Sequence, residues 1–307
     1  MTHLQTPARI RQPATIDVGS AAQLACLLEA SAAKPGNVSP ERHFADIRYE
    51  HFLASAVAIG EPFTGVASRG IGATVRLAIE ATKRWTAANT NLGIVLLLAP
   101  LARAAVDVRT GSHRTLRERV REVLDATTVE DAIDVYAAIR LAAPGGLGRA
   151  DSQDVADTPT MTLIEVMRLA AERDGIAREY ATAFETTFDT GAPALDRARA
   201  AGLPWSDAVV ETFLTLLARR PDTHISRRAG DAMANQVSER ARDALAAGGV
   251  RSAGGRRAID AMDRALRDSD NIGNPGTTAD LTAASIFVVL LAGGWADSIG
   301  GHDGGAR

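Results

Sequence analysis

Three short stretches of this 307-residue sequence combine residue types that bind phosphate groups and metal ions. Residues 31–55 hold a Pro-Gly turn, a lysine, two histidines and three carboxylates between apolar runs. The same mixture returns in PDTHISRRAG (221–230) and in NPGTTADL (274–281). Lysine and arginine bind phosphate, whereas carboxylates bind Mg²⁺ or act as general bases. We interpret the three stretches as walls of one pocket.

The first stretch carries two acidic residues that are four positions apart, Asp46 and Glu50. On a helix this spacing places both carboxylates on one face, which suits a shared Mg²⁺ or a general base. An N-terminal cap with a solvated acidic face is the alternative. His43 and His51 are equally open, because neither a cysteine nor an HxxxH spacing marks them as zinc ligands.

Lysine is rare in this chain, since only Lys34 and Lys83 among its 34 basic residues are lysines. A compact ammonium group directly before Pro-Gly is typical of a phosphate-binding lysine. Lys83 lies in a segment with an exposed character, so rarity alone does not assign Lys34 to a site.

Helix starts mark the other candidate positions. Asn89-Thr90-Asn91 precedes a strongly apolar helix, whose first backbone amides can bind an oxyanion or simply be capped. Asp222 stands at a helix start with Arg227 and Arg228 one turn on, either as a metal-capable acid beside phosphate-binding arginines or as a cap with solvated arginines. Asp280 opens a helix that should be buried, so its carboxylate needs a partner. We expect Lys34, Asp46, Asp222, Arg228 and Asp280 to line one cavity.

The elements that must position these residues are helices. Apolar residues recur at steps of three and four along most of the chain, and no run alternates with a period of two. The pattern predicts an all-α fold of about ten or more helices in one domain (19–295), after a mobile lead-in (1–18) and before a disordered tail (296–307). The two most apolar stretches, 92–105 and 281–294, are too short to cross a bilayer and predict buried core helices.

Composition excludes several classes of protein. A net charge of -3 and a pI near 6.1 show no excess of positive charge of the kind that binds nucleic acid or an anionic membrane. The single cysteine, Cys26, excludes an internal disulfide and a cysteine metal site, and it lies in an apolar run. The N-terminus has no run of signal-peptide type, so we expect a cytoplasmic protein with small-molecule partners. The oligomeric state stays open.

Taken together, these motifs resemble the triphosphoribosyl-dephospho-CoA synthase family. The resemblance is carried by residues in the same order over positions 31 to about 292. They are Lys34-Pro35-Gly36-Asn37-Val38, His43, Asp46, Phe52, Ser55, Asn89-Thr90, Gly93, Asp222-Thr223, Arg228, Gly230, Asn274-Pro275-Gly276 and Thr278-Ala279-Asp280-Leu281.

The resemblance implies an all-α enzyme in which ATP loses adenine while its ribose C1 is joined to the 2′-hydroxyl of 3′-dephospho-CoA. It implies that Lys34 and Arg228 bind the phosphates. It implies that Asp46, Asp222 and Asp280 are Mg²⁺ ligands or, for one of them, the general base. The residues that would bind or orient the nucleotide are Gly36, Asn37, His43, Asn89, Thr90, Asn274, Gly276 and Thr278.

The sequence also departs from the citrate-lyase branch of that family. Asn91-Leu92 stands where that branch has His-Lys, His224 stands for an asparagine, and Arg227 stands for a histidine. The NTNLG and PGGLG segments look more like a branch that accompanies tetrahydromethanopterin or methanofuran biosynthesis. A nucleotide or phosphoribosyl step in such a pathway is therefore one alternative. A nucleotide hydrolase and a non-catalytic nucleotide-binding protein are two others.

Overall fold

Alanine- and leucine-rich segments form a helical assembly in a computed structural model that describes residues 17–106, 113–267 and 271–295. Within these residues no β-strand forms, so the prediction of an all-α fold with ten or more helices is confirmed. The helices are α1 (Val18–Ser31), α2 (Tyr49–Ala58), α3 (Gly60–Thr64), α4 (Ile71–Lys83), α5 (Leu92–Ala105), α6 (His113–Asp125), α7 (Val129–Ala142), α8 (Leu163–Ala170), α9 (Gly175–Ala181), α10 (Ala192–Ala200), α11 (Trp205–Arg219), α12 (Thr223–Ala229), α13 (Asp231–Ala246), α14 (Ala253–Leu266) and α15 (Gly276–Leu291). Short 3₁₀ turns lie at Val66–Ser68 and Gly249–Arg251, and a π-helical turn lies at Thr187–Gly191.

The centre of the core is formed by α5 and α15, the two stretches that the sequence marks as most apolar. Twelve of the sixteen residues of α15 are buried, as are eleven of the fourteen residues of α5. A helix that is apolar all round belongs inside a bundle, and each buried Leu, Ile, Val or Phe side chain stabilises the fold by about 1.5–3 kcal/mol. The two helices pack on each other, and α1 packs on both. Their predicted burial is confirmed.

Side-chain caps fix several helix starts. The Asp17 carboxylate accepts a hydrogen bond from the Ser20 amide (2.9 Å) at the start of α1. Thr128 caps α7, Asp174 caps α9 and Asp222 caps α12. Each such cap contributes about 1 kcal/mol and sets the direction in which the helix leaves its loop. The caps of α9 and α12 orient the helices that reach the candidate site.

The predicted ends of the chain fall mainly outside the described residues. This applies to residues 1–16 of the predicted lead-in and to the predicted tail (296–307). Among the residues that the structure does describe, no helix combines the length and apolar character needed to cross a bilayer. Cys26 is buried, and burial raises the pKa of its thiol.

Candidate active site

A cavity of about 390 Å³ lies where the start of α15 meets α1 and the starts of α5, α9 and α12. The loop between α7 and α8 (143–162) lines another side of it. Of the predicted site residues, those on the cavity wall are Asn37, Asn89, Thr90, Asn274, Gly276 and Asp280. Those away from it are Lys34, Gly36, His43, Asp46, Asp222, Arg228 and Thr278. The cavity therefore joins all three predicted stretches, and the functional roles of these residues stay predictions.

Asp280 lies four residues into α15, deep in the cavity. Burial raises the pKa of its carboxyl well above the ordinary value. The negative charges of Glu29, Asp222 and Asp174 raise it further, while Arg227 opposes them. A carboxylate with a raised pKa is a stronger base than an ordinary aspartate, so it is better suited to accept a proton from a hydroxyl group. Of the five residues expected to share the cavity, Asp280 alone lines it.

Asp222 has a structural position that the sequence did not reveal. Its Oδ1 accepts hydrogen bonds from the amides of His224 (2.8 Å) and Ile225 (3.1 Å) at the start of α12. Its Oδ2 accepts two further bonds from Thr278, from the amide (2.7 Å) and the hydroxyl (2.7 Å) in the first turn of α15. Burial nevertheless raises the pKa of this carboxyl. One side chain thus caps two helices, and its oxygens are occupied by the protein rather than open to a metal ion.

The N-terminal part of α12 presents a histidine and an arginine to the cavity. Arg227 forms an ion pair with Asp174, whose other oxygen caps α9 through the amides of Ile176 (2.9 Å) and Ala177 (3.0 Å). Burial and the neighbouring arginines lower the pKa of His224 to about 4, so its imidazole is neutral at pH 7. Arg227 and His224 are two of the positions at which the sequence departs from the citrate-lyase pattern.

The two Pro-Gly turns meet at one end of the cavity. The Nδ2 of Asn37 donates a hydrogen bond to the Oδ1 of Asn274 (2.5 Å), and both residues line the cavity. Gly36 adopts a φ of +79°, a conformation that favours glycine. Its amide donates to Asp263 (2.9 Å), which also binds Arg267 through both carboxylate oxygens. Gly36 therefore fixes the conformation of the turn without lining the cavity. Asp263, which binds the Gly36 amide, holds this turn in place and was not predicted from the sequence.

Lys34 does not reach the cavity, contrary to expectation. Only 1 % of its side chain is exposed, and its ammonium group lies 3.0 Å from the Glu29 carboxylate. It also donates to the carbonyl oxygens of Glu29 and Ala32 (3.2 Å) at the end of α1. Glu29, by contrast, lines the cavity. Because three acceptors occupy the ammonium group, Lys34 holds Glu29 in place, and in this structure it presents no donor to a phosphate.

Asp46 and His43 lie on the exposed side of the first stretch. The expected shared helix face of Asp46 and Glu50 does not exist, because α2 begins at Tyr49 and Asp46 belongs to a bend before it. His43 accepts a hydrogen bond from the Tyr49 amide (3.2 Å). The side chains from this segment that do line the cavity are the apolar Phe44, Ile47 and Phe52.

The Asn-Thr segment before α5 closes another side of the cavity. Thr90 shares a hydrogen bond with Ser55 (2.5 Å) on α2, and Asn89 Oδ1 accepts from the Leu92 amide (3.2 Å). Asn91 donates to Thr82 (3.0 Å). The segment caps α5 and also lines the cavity, and its binding of a ligand stays a prediction.

The arginines on the cavity wall differ from the one that the sequence favoured. Arg228 points away from the cavity and donates to the carbonyl oxygen of Asn271 (2.9 Å). In the described part of the chain, the basic side chains that line the cavity are Arg149, Arg173 and Arg227, together with the neutral His224. Arg149 and Arg173 are exposed, so they lie at the mouth. No sequence motif marked them, because one lies in the α7–α8 loop and the other in the loop before α9.

Within residues 17–106, 113–267 and 271–295, no cluster of three or more His, Cys, Asp or Glu side chains is arranged to hold a metal ion. Asp46 is exposed, Asp222 is saturated by four hydrogen bonds, and Asp280 is half-buried on the cavity wall. These three carboxylates therefore do not form a common metal site among the described residues.

Comparison with known proteins identifies a family model and a solved structure that are similar to this chain. The model of the ATP:dephospho-CoA triphosphoribosyl transferase family matches residues 15–298. A protein from Archaeoglobus fulgidus, assigned as a triphosphoribosyl-dephospho-CoA synthase, has a crystal structure that superposes with a TM-score of 0.63 and 32% identity. That match covers 80% of this chain and 99% of the archaeal chain.

Curated relatives assigned as 2-(5''-triphosphoribosyl)-3'-dephosphocoenzyme-A synthases match over shorter segments. The protein from Pseudomonas paraeruginosa is 37% identical over 129 residues, which are 41% of this chain and 43% of the relative. The protein from Pseudomonas syringae is 38% identical over 96 residues, 31% of this chain and 32% of the relative. The matched segments thus span less than half the length of these relatives. Because the family model covers nearly the whole chain and the archaeal structure matches over almost its full length, the chain belongs to the ATP:dephospho-CoA triphosphoribosyl transferase family.

Proposed function

We propose that this protein transfers the triphosphoribosyl group of ATP to the 2′-hydroxyl of 3′-dephospho-CoA and releases adenine. The observation that carries the proposal is the carboxylate of Asp280, whose pKa is raised, on the wall of a cavity built from the family's motif segments. In this reaction the bond from C1′ to N9 breaks and a bond from C1′ to the acceptor oxygen forms. Asp280 takes the proton of the attacking hydroxyl group.

The environment of Asp280 supports its role as the base. Its pKa is raised by burial and by acidic neighbours, so the carboxylate gains more from accepting a proton than an exposed aspartate does. Proton transfer by a positioned side chain contributes typically about 10²- to 10⁴-fold to a rate. A substrate that fills the cavity would displace water from the reacting carbon, which would protect an oxocarbenium-like centre from hydrolysis.

The charges on the cavity wall indicate where each end of ATP binds. The cavity wall around Asp280 also carries the carboxylates of Glu29 and Asp174, and three acids together are unfavourable for a triphosphate. The mouth carries the exposed guanidinium groups of Arg149 and Arg173. Guanidinium groups bind phosphate oxygens in pairs. We therefore place the triphosphate at the mouth and the ribose and base further in.

Mg²⁺ enters this proposal as part of the substrate. The described carboxylates do not form a three-ligand site, and Mg²⁺ in nucleotide sites usually keeps phosphate oxygens and water as most of its ligands. The ion would neutralise charge on the triphosphate. The carboxylates on the cavity wall close to Asp280 are Glu29 and Asp174, which are paired with Lys34 and Arg227.

The test is adenine release from MgATP with and without 3′-dephospho-CoA, followed by mass spectrometry of the products. We expect adenine to appear only with the acceptor, together with a product heavier than dephospho-CoA by one triphosphoribosyl group. Adenine without acceptor would indicate a hydrolase. No adenine in either reaction would contradict the proposal for this substrate pair and would favour another acceptor or a non-catalytic binding protein. Both proposed substrates are cytoplasmic metabolites, which agrees with the expected cytoplasmic location.

A further inference from the structure

The imidazole of His224 is a polar group on the cavity wall that the proposed proton transfer does not use. Within the described residues neither ring nitrogen has a hydrogen-bond partner. The residue is held at its backbone by the bond from its amide to Asp222 (2.8 Å). The ring packs over Gly276, where an added Cβ would lie 3.3 Å from Cγ and 3.5 Å from Cδ2. A fixed side chain with unpaired nitrogens facing a cavity is available to a ligand.

His224 and Asp280 line the same cavity, near the starts of α12 and α15. The imidazole lies over Gly276, the first residue of α15, and Asp280 follows four residues later. Four residues of α-helix correspond to a rise of about 6 Å, and residues so spaced lie on the same face. In the proposed reaction the reacting carbon lies between an attacking oxygen and a departing nitrogen, so it needs a group on each side. Asp280 would serve the attacking side, which leaves His224 for the departing side.

We propose that His224 donates an N–H hydrogen bond to a ring nitrogen of the departing purine, an inference that rests on the proposed function. As the C1′–N9 bond breaks, its electron pair moves onto the purine and spreads to N7 and N3. A neutral imidazole always carries one N–H donor, so it can stabilise this charge without losing its own proton. The hydroxyl proton moves to Asp280 and is afterwards taken up by the released adenine.

The surroundings of His224 favour a purine nitrogen over a phosphate oxygen. Arg227, one turn along α12, is already paired with Asp174, and Asp280 lines the same cavity. Because Asp174 neutralises Arg227, a triphosphate is attracted instead to the exposed arginines at the mouth. A neutral donor and a neutral ring acceptor match in charge. Removing one such preorganised donor typically lowers kcat by about 10²- to 10³-fold.

The test compares ATP, 7-deaza-ATP and 3-deaza-ATP with the wild-type enzyme and with His224→Phe and His224→Asn. We expect the wild type to lose on the order of 10²-fold in kcat with the deaza analogue that lacks the hydrogen-bonded nitrogen. With that analogue His224→Phe should cause no further loss, whereas with ATP it should lose the same factor. His224→Asn, which keeps an N–H donor, should recover part of the rate.

The outcomes separate this inference from the function on which it rests. If His224→Phe and both deaza substitutions multiply their effects, or if His224→Phe leaves kcat for ATP unchanged, the assignment of His224 is overturned while the transferase stands. If wild-type protein releases no adenine from ATP, both fall together. Circular dichroism of each variant checks that the helical fold is kept, and His51→Phe, outside the cavity, should retain the wild-type rate with every nucleotide.

Discussion

The carboxylate of Asp280 packs directly on the backbone of Gly93. A Cβ built on Gly93 would lie 2.0 Å from Oδ2 and 2.5 Å from Cγ of Asp280. Glycine is therefore required in the first turn of α5 for Asp280 to take its place, although glycine is unfavourable inside a helix by about 1 kcal/mol. The two central helices meet at the residue that we assign as the base.

Gly93→Ala should displace Asp280 and lower kcat by about 10²-fold, because a shift of about 1 Å in a catalytic group has this effect. Alanine is the better helix former, so a loss of activity would come from the contact and not from helix propensity. The matched control is Gly145→Ala in the α7–α8 loop, where an added Cβ meets nothing within 4 Å. Equal activity of the two variants would show that the contact has no functional weight.

Asp222→Ala should lower the free energy of unfolding by about 3 kcal/mol or more, because it removes two caps and leaves buried amides of two helices unpaired. Denaturant unfolding measures the change. Asp17→Ala removes a single exposed cap from α1 and should cost about 1 kcal/mol. Thr278→Ser should preserve stability since it keeps the hydroxyl group that binds Asp222. If Asp222→Ala remained stable but lost Mg²⁺-dependent activity, the metal-ligand role predicted from the sequence would be restored.

Lys34→Met should destabilise the protein by about 3 kcal/mol, because it leaves the Glu29 carboxylate buried without its partner. The double variant Lys34→Met/Glu29→Met should regain part of this stability, as apolar replacements of a buried pair often do. Lys83→Met, at the more exposed lysine, should have little effect. A phosphate-binding role would give the reverse pattern for Lys34→Met, a higher KM for ATP with unchanged stability.

The raised pKa of Asp280 should affect how both the free energy of unfolding and the reaction rate depend on pH. Its folded-state pKa is raised, so the folded protein binds this proton more tightly than the unfolded chain, and stability falls as pH rises above the ordinary value of 3.8. Asp280→Asn removes this contribution. The variant should gain stability relative to wild type as pH rises from about 4, and the difference should vanish below it. In wild-type kinetics the rate should rise with pH through the raised pKa, since only the carboxylate accepts a proton.

The sequence was sufficient for the helices and for the position of Asp280. Apolar character alone marked α5 and α15 as core, and an acid at the start of a buried helix had to face a special environment. It was insufficient for Asp222, because a carboxylate that binds Thr278, 56 residues away, has the same local pattern as one that binds metal. The prediction that Lys34 lines the cavity was wrong for a related reason. Its partner Glu29 lies within an apolar run that gave no sign of a buried acid. The prediction that Asp46 lies on a helix face with Glu50 was wrong because α2 begins at Tyr49, three residues after Asp46.

Arg149, Arg173 and His224 show the limit of motif reasoning. The two arginines reach the cavity from loops whose path depends on contacts such as Tyr136 Oη to the Gln153 carbonyl oxygen (2.5 Å). No periodicity predicts such a path. The position of His224 follows once the Asp222 cap at the start of α12 is known, whereas the two arginines also require the path of their loops.

The central claim is that Asp280 is the base of a triphosphoribosyl transfer. Its most direct test is the rate of adenine release from MgATP and 3′-dephospho-CoA by Asp280→Asn, a variant of nearly the same shape, with circular dichroism as the check on folding. We predict a loss of about 10²- to 10⁴-fold in kcat with the helical signal retained. Turnover at the wild-type rate by a folded Asp280→Asn enzyme would contradict the claim.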